Sequence, residues 1–264
     1  MTTPVVCCDL DGVIWRGDEP IVPAVPAVAA LRDAGARVAF LTNNSSMTVA
    51  QIVAKLGRMG VEASADDVLS SAQAAADTLA RSLAPGARVL ACAGPGVVEA
   101  LEARGFVPVD RAPADAVVVG WHRTFDFDGL ARASEAVREG ARFVATNVDP
   151  TYPVPGGLLP GNGALVAAVA TASGREPEVA GKPEVPTVAL VRSRFGASGV
   201  MVGDRPSTDG ALATALGWPF ALVLSGVTSM DAVAGGEAIP DPAPRWVAAD
   251  LGELVPELIA SSFG

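Results

Sequence analysis

One histidine, three cysteines and a single tyrosine stand in a chain of 264 residues, and each scarcity narrows the chemistry open to it. With His122 alone, a cluster of histidine ligands is excluded, and a Ser-His-Asp triad would have to use that one ring. Cys7 and Cys8 are adjacent in an apolar run and Cys92 sits in another. No disulfide framework and no CxxC zinc spacing can be drawn from them, so they are expected to be buried thiols in a reducing, cytoplasmic setting. Basic residues are outnumbered, 19 against 29 acids, for a formal net charge of −10. A surface of that sign repels a phosphate backbone and anionic lipid, so neither nucleic acid nor a membrane is an expected partner. The longest apolar stretches, such as Gly163 to Ala172, fall short of the roughly 20 residues of a membrane span. Asp9 and Asp11 interrupt the first apolar run, so no signal peptide is expected.

What is present is apolar and regularly patterned. Half of the residues are hydrophobic and 18% are charged, which suits an extensive core and excludes general disorder. Val5–Asp9, Arg37–Leu41, Arg88–Ala93, Ala116–Gly120, Phe143–Thr146, Gly199–Gly203 and Phe220–Leu224 read as strands. Between them, Ala24–Ala34, Thr48–Met59, Ala72–Leu83, Gly96–Arg104, Asp128–Glu139, Gly163–Ser173, Val185–Phe195, Thr208–Leu216 and Leu251–Ile259 read as helices. This alternation predicts an α/β fold with a doubly wound parallel sheet. The units are too many for one small sheet, and Pro/Gly-rich stretches at Leu83–Gly86 and Gly174–Pro183 mark crossing points. The expectation is a discontinuous core, residues 1–81 and 179–264, with an inserted α/β cap at 82–178.

The strand ends carry the chemistry. In a parallel sheet, ligands bind beyond the carboxyl ends of the strands. The first strand ends in Asp9-Leu10-Asp11-Gly12-Val13, two carboxylates followed by a glycine that permits a sharp turn. Arg37–Leu41 ends in Thr42-Asn43-Asn44-Ser45-Ser46, whose hydroxyls and amides are expected at a helix start, where a phosphate would be welcome. Gly199–Gly203 leads into Asp204 and, five residues on, Asp209. Gly181-Lys182-Pro183 is expected at another helix start, with Pro183 as its first residue. A cation is disfavoured at that end of a helix, so Lys182 needs an anionic partner. Four converging aspartates could not all stay ionised without cations. A divalent metal held by oxygen, most naturally Mg²⁺, together with one lysine resolves the conflict.

Taken in order, Asp9-x-Asp11-Gly12-Val13, Thr42-Asn43, Lys182 and Gly203-Asp204 with Asp209 resemble the four motifs of the haloacid dehalogenase superfamily. Leu41-Thr42-Asn43-Asn44-Ser45-Ser46, Gly181-Lys182-Pro183 and Leu224-Ser225-Gly226-Val227-Thr228-Ser229 resemble its NagD-like, p-nitrophenylphosphatase-type branch, which has a C2-type cap. Two departures are Gly210, where such proteins commonly carry a larger aliphatic, and Pro206 in the loop between the acids. The resemblance implies a Rossmann-like core and a Mg²⁺-dependent phosphatase acting on a small phosphorylated metabolite. It implies that Asp9 forms an aspartyl-phosphate and that Asp11 protonates the leaving group and then activates water. It further implies that Thr42, Asn43 and Lys182 hold the phosphate. Asp9, the Asp11 main-chain carbonyl and Asp204 would ligate the metal, with Asp209 behind them. Dimerisation through the cap occurs among such proteins and is left open here.

The long stretch between Thr42 and Lys182 makes that insert the lid, since the flap after Asp11 runs only to about Pro23. Gly120-Trp121-His122-Arg123, Thr146-Asn147-Val148-Asp149 and Gly161-Asn162-Gly163 are candidates to face substrate, with His122, Arg123 and Asn147 foremost. Two rivals share part of this inventory. A phospho-receiver signalling protein also combines a strand-end aspartate, a hydroxyl and a lysine, but would not use Asp11. A phosphotransferase or mutase would place the phosphoryl group on a second substrate instead of water.

Overall fold

The computed structural model describes residues 3–154, 157–228 and 242–261. Strand β1 (Val5–Cys8) is wholly buried, with Cys7 and Cys8 facing opposite apolar clusters. After it come a small hairpin of β2 (Trp15–Arg16) and β3 (Glu19–Pro20), then α1 (Ala24–Asp33), β4 (Arg37–Thr42), α2 (Val49–Arg58), β5 (Val68–Ser70) and α3 (Ser71–Ala80). A second series follows as β6 (Arg88–Cys92), α4 (Pro95–Ala103), β7 (Val107–Val109), β8 (Ala116–Val119), α5 (Phe127–Arg138) and β9 (Arg142–Ala145). It continues through the hairpin β10 (Thr151–Val154) and β11 (Gly157–Pro160), then α6 (Asn162–Ser173) and β12 (Glu178–Val179). The chain closes with α7 (Val185–Phe195), β13 (Val200–Gly203), α8 (Ala211–Leu216), β14 (Phe220–Val223), β15 (Trp246–Ala248) and a last helix, α9 (Leu251–Ala260).

These strands form two parallel sheets. The first has the order β15-β14-β13-β1-β4-β5, and the second β12-β9-β8-β6-β7. Helices cover both faces of each, the doubly wound α/β architecture expected from the alternation of patterns. One apolar cluster spans α1, α2, α9 and one face of the first sheet. Another joins the opposite face, through Leu69, Ala75 and Leu79, to Val89, Val118 and Val144 of the second sheet. Helix α3 is the shared wall, so the two sheets are packed into continuous apolar material. Strand β12 pairs with β9, which carries the second sheet to Val179, across the expected join at 178/179. Among the described residues, no helix is long and apolar enough to cross a membrane.

Helices α2 and α7 begin where the patterns over Thr48–Met59 and Val185–Phe195 place them, but the two motif segments expected to open them lie outside them. Helix α2 begins at Val49, and Thr42-Asn43-Asn44-Ser45-Ser46 precedes it without capping it. Thr48 caps it by accepting from the Gln51 amide, while the Gln51 side chain accepts from the Thr48 amide. The intervening Asn44 folds back instead, its Oδ1 accepting from the Ser46 amide at 2.9 Å. Asparagine and serine compete with helix formation in this way. Likewise α7 starts at Val185, with Pro186 in its first turn, and Gly181-Lys182-Pro183 is a loop before it. Lys182 therefore does not sit at a helix dipole, and carboxylates hold it instead. The predicted helix over Thr208–Leu216 opens with a wide π turn at Pro206–Gly210 before α8. The unusual Gly210 packs there, and a Cβ on it would stand 3.0 Å from the Phe220 ring.

Candidate active site

Strand register brings the expected residues together. Cys8 is level with Phe40 on one side and Val202 on the other, so Asp9, Thr42 and Asp204 emerge side by side from three adjacent strand ends. The Asp9 amide continues the ladder to Val202 O at 2.9 Å, which fixes its backbone. Lys182 Nζ lies 2.9 Å from Asp9 Oδ1 and 2.7 Å from Asp209 Oδ1, and all three residues are buried. Asp209 Oδ2 accepts from the Arg205 amide at 3.1 Å, so both of its oxygens are engaged. Carboxylate oxygens of Asp9, Asp204 and Asp209 lie within 4.8 Å of one another.

Three buried carboxylates thus face one ammonium. Burial would lower the pKa of Lys182, but Asp209 and Asp9 outweigh it and hold the ammonium above its usual range. Burial pushes the Asp9 carboxyl well up, and Asp209 and Asp204 add to the rise against the pull of Lys182. Burial and Asp209 push Asp204 up to about 7. The site carries more negative charge than it can keep ionised. Its donors are oxygen only and its geometry is fixed by buried backbone, so it fits a hard divalent cation.

Asp11 stands on the turn that follows Asp9. Gly12 holds φ at +86°, a left-handed conformation that side chains resist. The Trp15 indole donates to Asp11 Oδ1 at 3.0 Å, and Lys55 Nζ lies 4.5 Å from the centre of the Trp15 ring. Burial raises the pKa of Asp11 despite that donor and the nearby cations. A carboxyl kept protonated longer than usual is suited to giving up a proton near neutral pH. The Trp15 contact is invisible as a motif.

Backbone from two other segments, at Gly12 and at Gly226-Val227, crowds Asp204. The Val227 amide donates to Asp204 Oδ2, and a Cβ added at Gly226 would overlap that carboxylate. We expect Gly226→Ala to displace Asp204 and lower kcat/KM by about 10²-fold, as misplacements of roughly 1 Å do. Steady-state kinetics with circular dichroism as a folding check would measure this, and wild-type kcat/KM would count against the placement of Asp204. Ser229, the last residue of that motif, lies outside the described residues.

A cleft opens above these groups, lined by Asp9, Asp11, Thr42, Asn43, Lys182 and Asp204 on the side of the first sheet. From the second sheet come Trp121, Asn147, Asp149, Tyr152 and Asn162. Two asparagines bridge the sides. Asn43 Oδ1 accepts from the Lys182 amide at 2.8 Å, and its Nδ2 donates to Asp149 Oδ2 at 3.2 Å. Asn147 Nδ2 donates to Asn43 O at 2.7 Å, and its Oδ1 accepts from the Asp149 amide. Arg205 pairs with Asp149 at 3.8 Å across the same gap. Asn147 therefore lines the cleft with both ends of its amide already engaged.

His122 and Arg123 do not line the cleft. The His122 ring lies against Cys92 Sγ (3.8 Å) and Thr124 Oγ1 (3.1 Å), and burial lowers its pKa. Neighbouring Trp121 turns the other way, its ring centre 4.8 Å from that of Tyr152. Tyr152 and Arg205 were not foreseen as lining residues. The only available signal for Arg205 was a basic residue directly after a strand-end acid, and for Tyr152 its being the sole tyrosine.

Comparison with known proteins finds relatives along nearly the whole chain. Residues 6–107 match the haloacid dehalogenase-like hydrolase family and residues 179–254 a HAD-hydrolase-like family. A D-glycerol 3-phosphate phosphatase of Mycobacterium tuberculosis is 44% identical over 251 residues, 93% of this chain and 69% of that protein. The crystal structure of a glycerol phosphate phosphatase from M. tuberculosis in complex with magnesium superposes with a TM-score of 0.87 at 41% identity, covering 96% of this chain and 76% of that one. For p-nitrophenyl phosphatase from Archaeoglobus fulgidus the TM-score is 0.89 at 31% identity, covering 98% and 100%. For NagD from E. coli K-12 it is 0.83 at 30%, covering 96% and 98%. Identity at this level over nearly the whole chain, added to the two family matches, shows the chain to be a phosphoric monoester hydrolase belonging to the NagD-like branch of the haloacid dehalogenase-like hydrolases.

Proposed function

We propose that this hydrolase cleaves small phosphomonoesters by way of an aspartyl-phosphate on Asp9. The observation that carries this reading is the position of Asp9, buried at a strand end and paired with Lys182 at 2.9 Å, with Asp11 facing the same cleft. An Asp9 oxygen attacks phosphorus, the bond from phosphorus to the ester oxygen breaks, and Asp11 gives its proton to the departing alkoxide. Asp11, now ionised, takes a proton from water as that water attacks the aspartyl-phosphate. Inorganic phosphate leaves and Asp9 is restored. Thr42, the following backbone and Lys182 hold the non-bridging oxygens, so the chain's own groups do the positioning that phosphoryl transfer chiefly needs.

Mg²⁺ is the cofactor. Asp9, the Asp11 carbonyl and Asp204 would hold it, with Asp209 holding Lys182 beside them. When bound, it supplies positive charge that the phosphoryl oxygens and the crowded carboxylates share. In this reading the second sheet, reaching to Val179, is the cap that meets the leaving group, which is a small polyol or sugar. Repeated release of phosphate from a panel of such esters with Mg²⁺ tests the reading. A single turnover that leaves phosphorylated Asp9 would point to a receiver, and phosphate appearing only on a second alcohol would point to a transferase.

The acid cluster also predicts how pH and metal act on stability. In the metal-free protein Asp204 binds a proton up to about pH 7, whereas its unfolded value is 3.8. The fold then holds protons that the unfolded chain has lost, so stability falls as pH rises through that window. Metal and proton compete for these oxygens. Millimolar Mg²⁺ should therefore raise Tm by about 5–10 °C near pH 8 and by less than half of that near pH 6. Calorimetry with and without chelator measures it, and an equal rise at both pH values would contradict the assignment.

A further inference from the structure

Lys182 stands in a loop before α7, so no helix or strand fixes its backbone. The side chain of Asn43 does so instead. Its Oδ1 accepts from the Lys182 amide at 2.8 Å, and its Nδ2 donates to the Lys182 carbonyl at 3.2 Å. One carboxamide thus satisfies both main-chain polar groups of the buried lysine. Gly181 leaves room for this, because a Cβ there would overlap Thr146 O and stand 2.7 Å from Asn43 Oδ1. The second hydrogen on Asn43 Nδ2 goes to Asp149 Oδ2, at 3.2 Å. A carbonyl and a carboxylate can only accept here, so the amide cannot be reversed. The Asn43 side chain is therefore spent on Lys182 and Asp149 and keeps no donor for a phosphate oxygen. Asp149 itself comes from the loop after β9, in the second sheet. Its other oxygen faces Arg205 at 3.8 Å, the residue that follows Asp204.

We propose that Asn43 and Asp149 are a pair of positioning residues: Asp149 holds the Asn43 amide, and Asn43 holds the Lys182 backbone so that Nζ stays between Asp9 and Asp209. Neither side chain touches the phosphoryl group. This rests on the phosphomonoesterase reading above and deepens it, by adding two residues that act through Lys182. An ammonium on a flexible four-carbon stem is a point charge without a preferred direction. It is held 2.9 Å from Asp9 and 2.7 Å from Asp209 only while the backbone beneath it is fixed. The phosphate end of the cleft thereby depends on a residue of the second sheet.

The test is a rescue, read as kcat/KM for p-nitrophenyl phosphate with Mg²⁺. Asn43→Asp keeps the size of the side chain and the acceptor for the Lys182 amide, but sets an oxygen against the Lys182 carbonyl and Asp149. It should lower kcat/KM by about 10²-fold. Asp149→Asn alone should cost less than about tenfold, because its amide oxygen can still accept from Asn43. Combined in one chain, the two changes give back a donor and an acceptor between positions 43 and 149 at unchanged net charge. The double variant should then recover about tenfold of the loss, and not all of it, since the Lys182 carbonyl still faces an oxygen. Loss without recovery would mean that position 43 acts on the phosphate itself, and would overturn the proposal. So would Asn43→Asp within about threefold of wild type, even with a lowered Tm, which would leave the pair a structural bond alone. If Asn43→Asp does not fold, Asp149→Ala removes the anchor without adding charge: an about tenfold loss on this ester is expected, and an unchanged value overturns the proposal. Absence of phosphate release by the wild-type protein from both p-nitrophenyl phosphate and glycerol 3-phosphate would instead overturn the phosphomonoesterase reading, and this proposal with it.

Discussion

Asp9→Asn should lower kcat by about 10⁴–10⁶-fold, the scale on which loss of a covalent nucleophile is felt. The amide keeps the size and shape of the carboxylate but is a very poor nucleophile toward phosphorus. The fold should survive, because the site has anions to spare. Lys182 keeps Asp209 at 2.7 Å, and one of three mutually repelling buried carboxylates disappears. Without metal the variant should therefore be at least as stable as the parent near pH 8, where the parent's surplus charge is least relieved by protons. Inactivity combined with undiminished Tm separates a lost nucleophile from a damaged fold. Phosphate release within about tenfold of wild type, with deamidation excluded by mass spectrometry, would remove Asp9 from the nucleophile's role.

How much of this could be read beforehand depended on how local the signal was. Asp9, Asp11, Thr42 and Asp204 were legible because a parallel sheet delivers its strand ends to one edge, and each acid or hydroxyl directly follows an apolar run. Lys182 was legible as a cation needing an anion, although the reason given, a helix start, was wrong: α7 begins three residues later. The short edge strand β12 escaped notice, since two residues show no period. The hairpin of β10 and β11 was missed because Pro153 and Pro160 read as loop. The cleft wall was the least legible part. Trp121 and His122 are neighbours in one loop, and which of them turns inward is decided by packing against Tyr152 and Cys92, residues far away in sequence. The bridge of Asn43 and Asn147 was hidden for the same reason. Each asparagine reads as an ordinary turn residue, and only the approach of the two sheets makes them a buried network.

Asp11→Asn should cost about 10²–10⁴-fold in steady-state turnover, and the form of the loss should depend on the leaving group. Glycerol departs as a strongly basic alkoxide, so formation of the aspartyl-phosphate itself slows once Asp11 cannot supply a proton. p-Nitrophenolate leaves without help, so Asp9 is still phosphorylated, but the water that must follow has lost its base. With p-nitrophenyl phosphate the variant should thus release a rapid burst of about one equivalent of p-nitrophenolate and then nearly stop, the sign of an accumulating covalent intermediate. With glycerol 3-phosphate there should be no burst of glycerol. Burial raises the pKa of Asp11, which in the proposed mechanism suits it to give a proton first and take one later. The Trp15 indole fixes its orientation at 3.0 Å, and an asparagine oxygen can still accept there, so the turn should keep its shape. Rapid-quench kinetics with mass spectrometry of the acid-quenched protein would show the phosphorylated chain. Equal losses on both esters with no burst would mean that Asp11 serves position alone, and another group moves the proton.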